Sequence, residues 1–387
     1  MNLTSSVAQS LRSNFCDNTH VESILSLKMP VQRSHKTLEP LTGVELLDAY
    51  TDSRIKLGKS KLKNIQQDHE LLTRVLHLIG FDDLNELDRS GAENVRDALS
   101  HYPTNAKKHS EFMGLTGYDV IFKNAALPTP KPCLSLTTIK GIIEKFSTFL
   151  NWSKDHGYVK DNVFYRLPKK SEKGGKKRLC FSDQHLAAIF KMKDYKSHSY
   201  LHPYYYWVPL LGRYTGARLN EICQLTIDDI LQVDGVECLK ISDNVEGQSV
   251  KNSSSIRLIP IHNELIAKGF LAFVNSKSSG RLFPELPLIK GYYSHNASKW
   301  FQRRRDSLGL GKGLDAHSFR HTFINELKQL GVSKEIIECI VGHKHNSESF
   351  DTYSEQYSPS VLAPVVNMIG TSHTASVLPY AQKKVAA

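Results

Sequence analysis

The stretch YYYWVPLLGRYTGARLNEICQL, residues 204–225, reads as an apolar helix, a glycine-containing turn and a second helix. The turn delivers two charged side chains, Arg218 and Glu221, three apart on the second helix. Residues so spaced are neighbours on a helix surface, and taken alone they read as a solvated ion pair. Their company further along the chain raises a second reading.

Working outward, FSDQHLAAIFKM (181–192) reads as a capped helix on the upstream side. Downstream the period changes. VECLKI (236–241) and IRLIPI (256–261) read as β-strands separated by the polar loop SDNVEGQSVKNSSS, which carries Lys251, and helices are expected to resume from about Ser294. The second half is therefore expected to be α with a small β element.

The first half is expected to be all helical. Apolar residues keep a helical period between Lys59 and Ile79, and GAENVRDALSHY reads as a helix before Pro103. PTPKP at 128–132 interrupts as an extended connector. The clearest helix follows, capped by Ser135, with Ile139, Ile142, Ile143, Phe146, Phe149 and Leu150 forming one stripe and Gly157 at its end. Its polar face mixes Lys140 and Lys145 with Glu144, as suited to solvent as to DNA.

RLPKKSEKGGKKR (166–178) has seven basic residues, one acid, a proline and two glycines, which marks a linker. It reads either as a solvated hinge or as a basic strap along a phosphate backbone. The expected organisation is an unassigned segment 1–47, a helical domain 48–168, a basic linker 169–178, an α+β domain 179–369 and a loose tail 370–387. No internal repeat is evident.

Composition agrees with a polyanion partner. At 387 residues the chain is long enough for two domains, and 40% hydrophobic against 23% charged residues argues against wholesale disorder. The formal charge is +11 and the pI near 9.2, which makes nucleic acid the leading partner. Six cysteines without CxxC spacing fit a reducing compartment, and the first residues lack the apolar core of a signal peptide. With no apolar run near 20 residues, a cytoplasmic protein, nucleoid-associated when bound to DNA, is expected.

No glycine-rich phosphate loop, GxSxG elbow or HExxH occurs, which removes common nucleotidase, esterase and zinc-protease readings. What remains is TGARLNE with Arg218 and Glu221, the loop Lys251, HSFRHTF with His317 and Arg320, and VGHKHNSESFDTY with His343 and Tyr353. Two arginines offer forked donors matched to phosphodiester oxygens, and two histidines offer donors or proton shuttles. A lysine on a hairpin tip is placed to protonate a leaving alkoxide, and a tyrosine deprotonated in such a cationic site is a competent nucleophile. Bland readings stand beside these: His317 with His321, or Cys339 with His343 and His345, as metal ligands, and Lys251 as one surface lysine among many.

These pieces, in this order, resemble the tyrosine recombinase, or phage integrase, family, consistent with a site-specific integrase of a mobile genetic element. A-R-L-N-E (217–221), Lys251, H-S-F-R (317–320), G-H (342–343) and Tyr353 match its signature, while SLTTIKGIIEKFSTFLNWSKDHGYVKDNVF is similar to its helical core-binding domain. The resemblance implies a mainly α fold with a small β-sheet and a DNA breaking-rejoining enzyme acting through a 3′-phosphotyrosyl bond without ATP, cofactor or metal. It implies Tyr353 as nucleophile, Arg218 and Arg320 as phosphate clamp, His317 and His343 as hydrogen-bonding or proton-transfer groups, Lys251 as general acid and Glu221 in support. Partners implied are double-stranded attachment sites, a homotetramer on DNA and room for accessory DNA-bending or directionality factors. A type IB topoisomerase-like enzyme and a catalytically inactive DNA-binding relative stand as alternatives. Tyr357, one helical turn past Tyr353, is the natural control position, and VLAPVVNMI (361–369) is suited to docking either on its own subunit or on a neighbour.

Overall fold

The computed structural model describes residues 41–167, 179–343 and 357–380. The chain divides into two compact units, 1–173 and 174–387. Within the described residues the protein is mainly helical, with one small antiparallel sheet in the second unit.

In the first unit, α1 (Gly43–Leu57) starts ahead of the boundary expected at 48 and is held by a reciprocal cap between Thr42 and Glu45. It packs on α2 (Leu62–Ile79), and α3 (Arg89–His101), α4 (Gly117–Ala125) and α5 (Leu136–Asp155) pack on α2 in turn, α5 also meeting α1. Ser135 caps α5 by accepting the Thr138 N–H at 3.2 Å. All six residues of the expected stripe on α5 are buried. Phe146 sits 4.8 Å from Phe164 and Phe149 5.4 Å from Tyr50, ring centre to ring centre, so aromatic packing closes the bundle. On the polar side Lys145 pairs with Asp68, which also takes Arg54 at 2.9 Å. That charge is spent inside the unit.

The second unit runs α6 (Asp183–Phe190), α7 (Lys193–Lys196), α8 (Pro203–Thr215), α9 (Leu219–Cys223), β1 (Ile230–Val233), β2 (Val236–Ile241), β3 (Arg257–Pro260), α10 (Asn263–Ala267), α11 (Phe270–Asn275), α12 (Ser294–Ser307), α13 (Ser318–Gln329), α14 (Lys334–Val341) and α15 (Pro359–Val366). Helix α8 is buried along almost its whole length, with Tyr206, Trp207, Leu210, Leu211 and Tyr214 at its centre. That is why its sequence shows no polar face.

Strand order is β1-β2-β3, with Leu239 of β2 between Ile230 and Ile259. β1 was not expected from its four residues, yet Asp234-Gly235 joins it to β2. Both turn residues have positive φ, 51° and 76°, as a two-residue hairpin of the right twist demands. Helices also return earlier than Ser294, because α10 and α11 follow β3 directly. At five and six residues they are too short to print a period.

The expectation of a loose tail from Gly370 is corrected through Tyr380. Tyr380 N–H donates to Lys268 O at 2.9 Å, and its ring lies 5.0 Å from Tyr206 and 5.4 Å from Phe273. The Tyr206 hydroxyl donates to Leu378 O at 2.8 Å, and Val377 is buried. Before it, Leu362, Val366 and Ile369 of the 361–369 segment enter the core of their own unit.

His262 ties this segment to the sheet. Its Nδ1 accepts the Glu264 N–H at 2.9 Å, and its Nε2 lies 3.1 Å from Ile369 O, which fixes the neutral Nε2–H tautomer. Burial lowers its pKa, against the opposing pull of the Ile369 carbonyl and Glu264. A histidine whose folded pKa lies below the ordinary value of about 6.5 stabilises the fold above that value and loses the contribution as pH falls through the folded pKa. The melting temperature of the second unit should therefore drop between pH 7.5 and pH 5.5. His262→Asn keeps a capping acceptor and should flatten that slope; an unchanged slope would assign the acid sensitivity elsewhere.

Candidate functional site

The turn between α8 and α9 is made by Gly216, whose φ of +60° and approach to Phe323 leave no space for a side chain. A Cβ there would lie 2.6 Å from Phe323 Cδ1. This close turn sets Arg218 at the start of α9. Arg218 N–H donates to Glu221 Oε2 at 2.9 Å and its Nη1 donates to Glu221 Oε1 at 2.6 Å. Nη1 also reaches Ser255 Oγ at 3.1 Å, and Nη2 reaches Gly342 O at 3.3 Å. Glu221 is only 3% exposed, so the solvated-pair reading does not hold.

A third arginine, not singled out from sequence, completes this pairing. Arg257, first residue of β3, donates from Nη2 to Glu221 Oε2 at 2.9 Å, from Nε to Ile340 O at 2.7 Å and from Nη1 to Ser255 O at 2.6 Å. Burial alone would raise the Glu221 carboxyl, but Arg257 and Arg218 outweigh it and hold the pKa below the usual carboxylate value. The signal was a charged residue in the otherwise apolar strand RLIP, where only a buried partner makes an arginine tolerable.

Arg320 lies one turn into α13 and donates from Nη1 to Gly216 O at 2.9 Å. Its buried Nη2 has no hydrogen-bond partner among the described residues. Burial, then repulsion from Arg218 and Arg257, pushes its pKa down to about 9. Three guanidiniums thus share the neighbourhood of one carboxylate, and the like charges of Arg218 and Arg257 act on Arg320.

His343 follows α14, where Gly342 turns the chain at φ +67°. Its N–H donates to Glu338 O at 3.0 Å. Burial of part of the ring, then the charges of Arg320 and Arg218, hold its pKa below the ordinary histidine value, so it is neutral at pH 7. His317 opens α13 three residues before Arg320, its N–H donating to Asp315 Oδ1 at 2.8 Å. Its ring meets that of His321 edge to face at 4.9 Å. Among the described residues no group of three or more His, Cys, Asp or Glu side chains is arranged to hold a metal.

Arg218, Glu221, Arg320 and His343 are therefore brought together, with Arg257 added. Lys251 is exposed in the connection between β2 and β3, and among the described residues no hydrogen bond or ion pair joins it to the arginines. Tyr353 lies outside the described residues, as does His345. Tyr357, 40% exposed, is the first described residue beyond, and its backbone bonds the Cys339 thiol of α14.

The chain thus runs from a helical unit into an α+β unit that carries this buried arginine cluster. Residues 183–358, somewhat under half of the chain, match the model of the phage integrase family, which supports a DNA breaking-rejoining enzyme of the tyrosine recombinase type. Among solved structures, the integrase of the transposon Tn1549 in complex with a circular intermediate DNA is similar at 17% identity, covering 81% of this chain and 96% of that one with a TM-score of 0.54. A lambda integrase dimer bound to a COC′ core site shows 15% identity, 89% and 83% coverage and a TM-score of 0.54. A lambda integrase tetramer bound to a Holliday junction shows 16% identity, 85% and 86% coverage and the same TM-score, 0.54. At these identities the likeness is one of fold. No curated protein matches the chain.

Proposed function

We propose that this recombinase cuts and rejoins double-stranded attachment sites through a covalent bond between Tyr353 and the 3′ phosphate. The Tyr353 oxygen attacks the scissile phosphorus, the bond to the 5′ oxygen breaks, and that oxygen leaves as a hydroxyl after taking a proton from Lys251. A partner strand's 5′-hydroxyl then attacks the phosphotyrosine and restores tyrosine, so the phosphodiester bond energy is conserved and no ATP is consumed. Arg218 and Arg320 hold the non-bridging oxygens as their charge grows. His343, neutral near pH 7, and His317 supply hydrogen bonds or carry the tyrosine proton.

The observation that carries this reading is the Nη2 of buried Arg320, unpartnered among the described residues, inside a cluster with surplus positive charge. A buried guanidinium depressed by like charges is costly unless an anion completes it, and a phosphate does so with matching geometry. The helical first unit and the basic linker at 169–178 grip the duplex in this reading, with residues 48–168 as the core-binding domain. The working form is a homotetramer on DNA, as the lambda structure is for its own chain.

The test is a nicked substrate that loses its leaving strand, so that cleavage becomes irreversible. A denaturant-resistant protein–DNA adduct should form without added metal or nucleotide, and peptide mapping should place it on Tyr353. An adduct on Tyr357, or none, would overturn the assignment.

A further inference from the structure

We propose that Arg257 is a positioning residue that fastens the phosphate clamp to the segment leading toward the nucleophile, a role that rests on the phosphotyrosyl reading above. Its guanidinium is 3% exposed, and its donors go to three separate parts of the chain. Nη2 takes the Glu221 carboxylate on α9, Nε takes the Ile340 carbonyl on α14, and Nη1 takes the Ser255 carbonyl in the connection that bears Lys251. Glu221 then holds Arg218 at both backbone and side chain, and Arg218 returns to Gly342 O. The circuit runs from Arg257 through Glu221 and Arg218 back to the same end of α14.

The packing at Gly342 shows how close this fastening is. A Cβ on Gly342 would lie 2.8 Å from Arg257 Nη1, and its φ of +67° already disfavours any side chain. The backbone that carries His343 therefore lies directly against the Arg257 guanidinium. Only a planar fork serves three acceptors in fixed directions; a lysine neutralises Glu221 but lacks the geometry for the two carbonyls. Arg257 spends its donors inside the protein, in contrast to Arg320, whose Nη2 is unpartnered among the described residues. It acts on the substrate through Arg218 and His343 rather than by touch.

Losing the fork should disorient the clamp while leaving DNA affinity, which is spread over many phosphates, nearly intact. The experiment uses the full chain and nicked DNA carrying either an ordinary phosphate or a neutral methylphosphonate at the scissile position. In Arg257→Lys, single-turnover adduct formation on phosphate should fall roughly 10- to 100-fold, with affinity within about twofold of the parent. The defect should shrink on methylphosphonate, because a centre with one charge removed asks less of Arg218. A misfolded protein would slow both substrates equally.

Adduct formation at the parent rate overturns the proposal, and so does an equal slowing on both substrates accompanied by a matching loss of affinity. Should Arg257→Lys fail to fold, as judged by its melting curve, Arg257→Gln is read by the same two outcomes. Failure of the underlying reading shows separately, as a parent protein that forms no adduct at Tyr353 on ordinary phosphate, and it takes this proposal down with it.

Discussion

Tyr353→Phe is expected to form no covalent adduct on the nicked substrate while binding the same DNA with nearly parental affinity. The change removes one oxygen, the atom that becomes bonded to phosphorus in the proposed mechanism. Binding should survive because affinity for duplex DNA comes from many phosphate contacts and counterion release, to which a single phenol adds little. Tyr357→Phe is the paired control. Tyr357 is 40% exposed and its backbone, rather than its phenol, bonds Cys339, so removing the hydroxyl should leave the adduct yield unchanged. Reversed outcomes would move the nucleophile to Tyr357, and adduct in both variants would dismiss both tyrosines.

Arg320→Met is expected to slow single-turnover cleavage by about 10²- to 10³-fold, the usual loss for one preorganised donor to a developing oxyanion. It should do so without lowering the melting temperature. Arg320 is 2% exposed and is pushed down to about 9 by burial and by the charges of Arg218 and Arg257, so its charge works against the folded state in the free protein. Methionine fills similar space with no charge to bury. Stability given up at a site for function is a common arrangement, and releasing it while losing rate is its signature. A cleavage rate within a few-fold of the parent, or a large fall in melting temperature, would contradict this account.

Local periodicities were legible because they depend on neighbours along the chain. The α5 stripe from Ile139 to Leu150 and its Ser135 cap needed nothing beyond the 3.6-residue repeat and one side chain able to accept a backbone N–H. β2 was legible in VECLKI, which matches its full extent. β1, α10 and α11 escaped because four to six residues are too few to establish a repeat, although the Asp234-Gly235 turn was a usable sign of the hairpin. The tail beyond Gly370 looked loose because its few apolar residues show no pattern of their own; Val377 and Tyr380 fill gaps left by α8 and α11.

At the candidate site the division is similar. Sequence alone singled out Arg218, Glu221, Arg320 and His343, since motif order and residue chemistry are written along the chain. It also named Lys251, His317 and Tyr353 as partners for them. Whether Glu221 is a solvated surface charge or a buried anchor was decided only in three dimensions, where β3 brings Arg257 against it and α14 supplies the Ile340 carbonyl. The reason is physical: helical and strand periods are set by backbone geometry within a few residues, whereas the cost of a buried charge is set by whatever the fold places around it. Residues 36 positions apart in sequence, Glu221 and Arg257, share one bond that no local pattern announces.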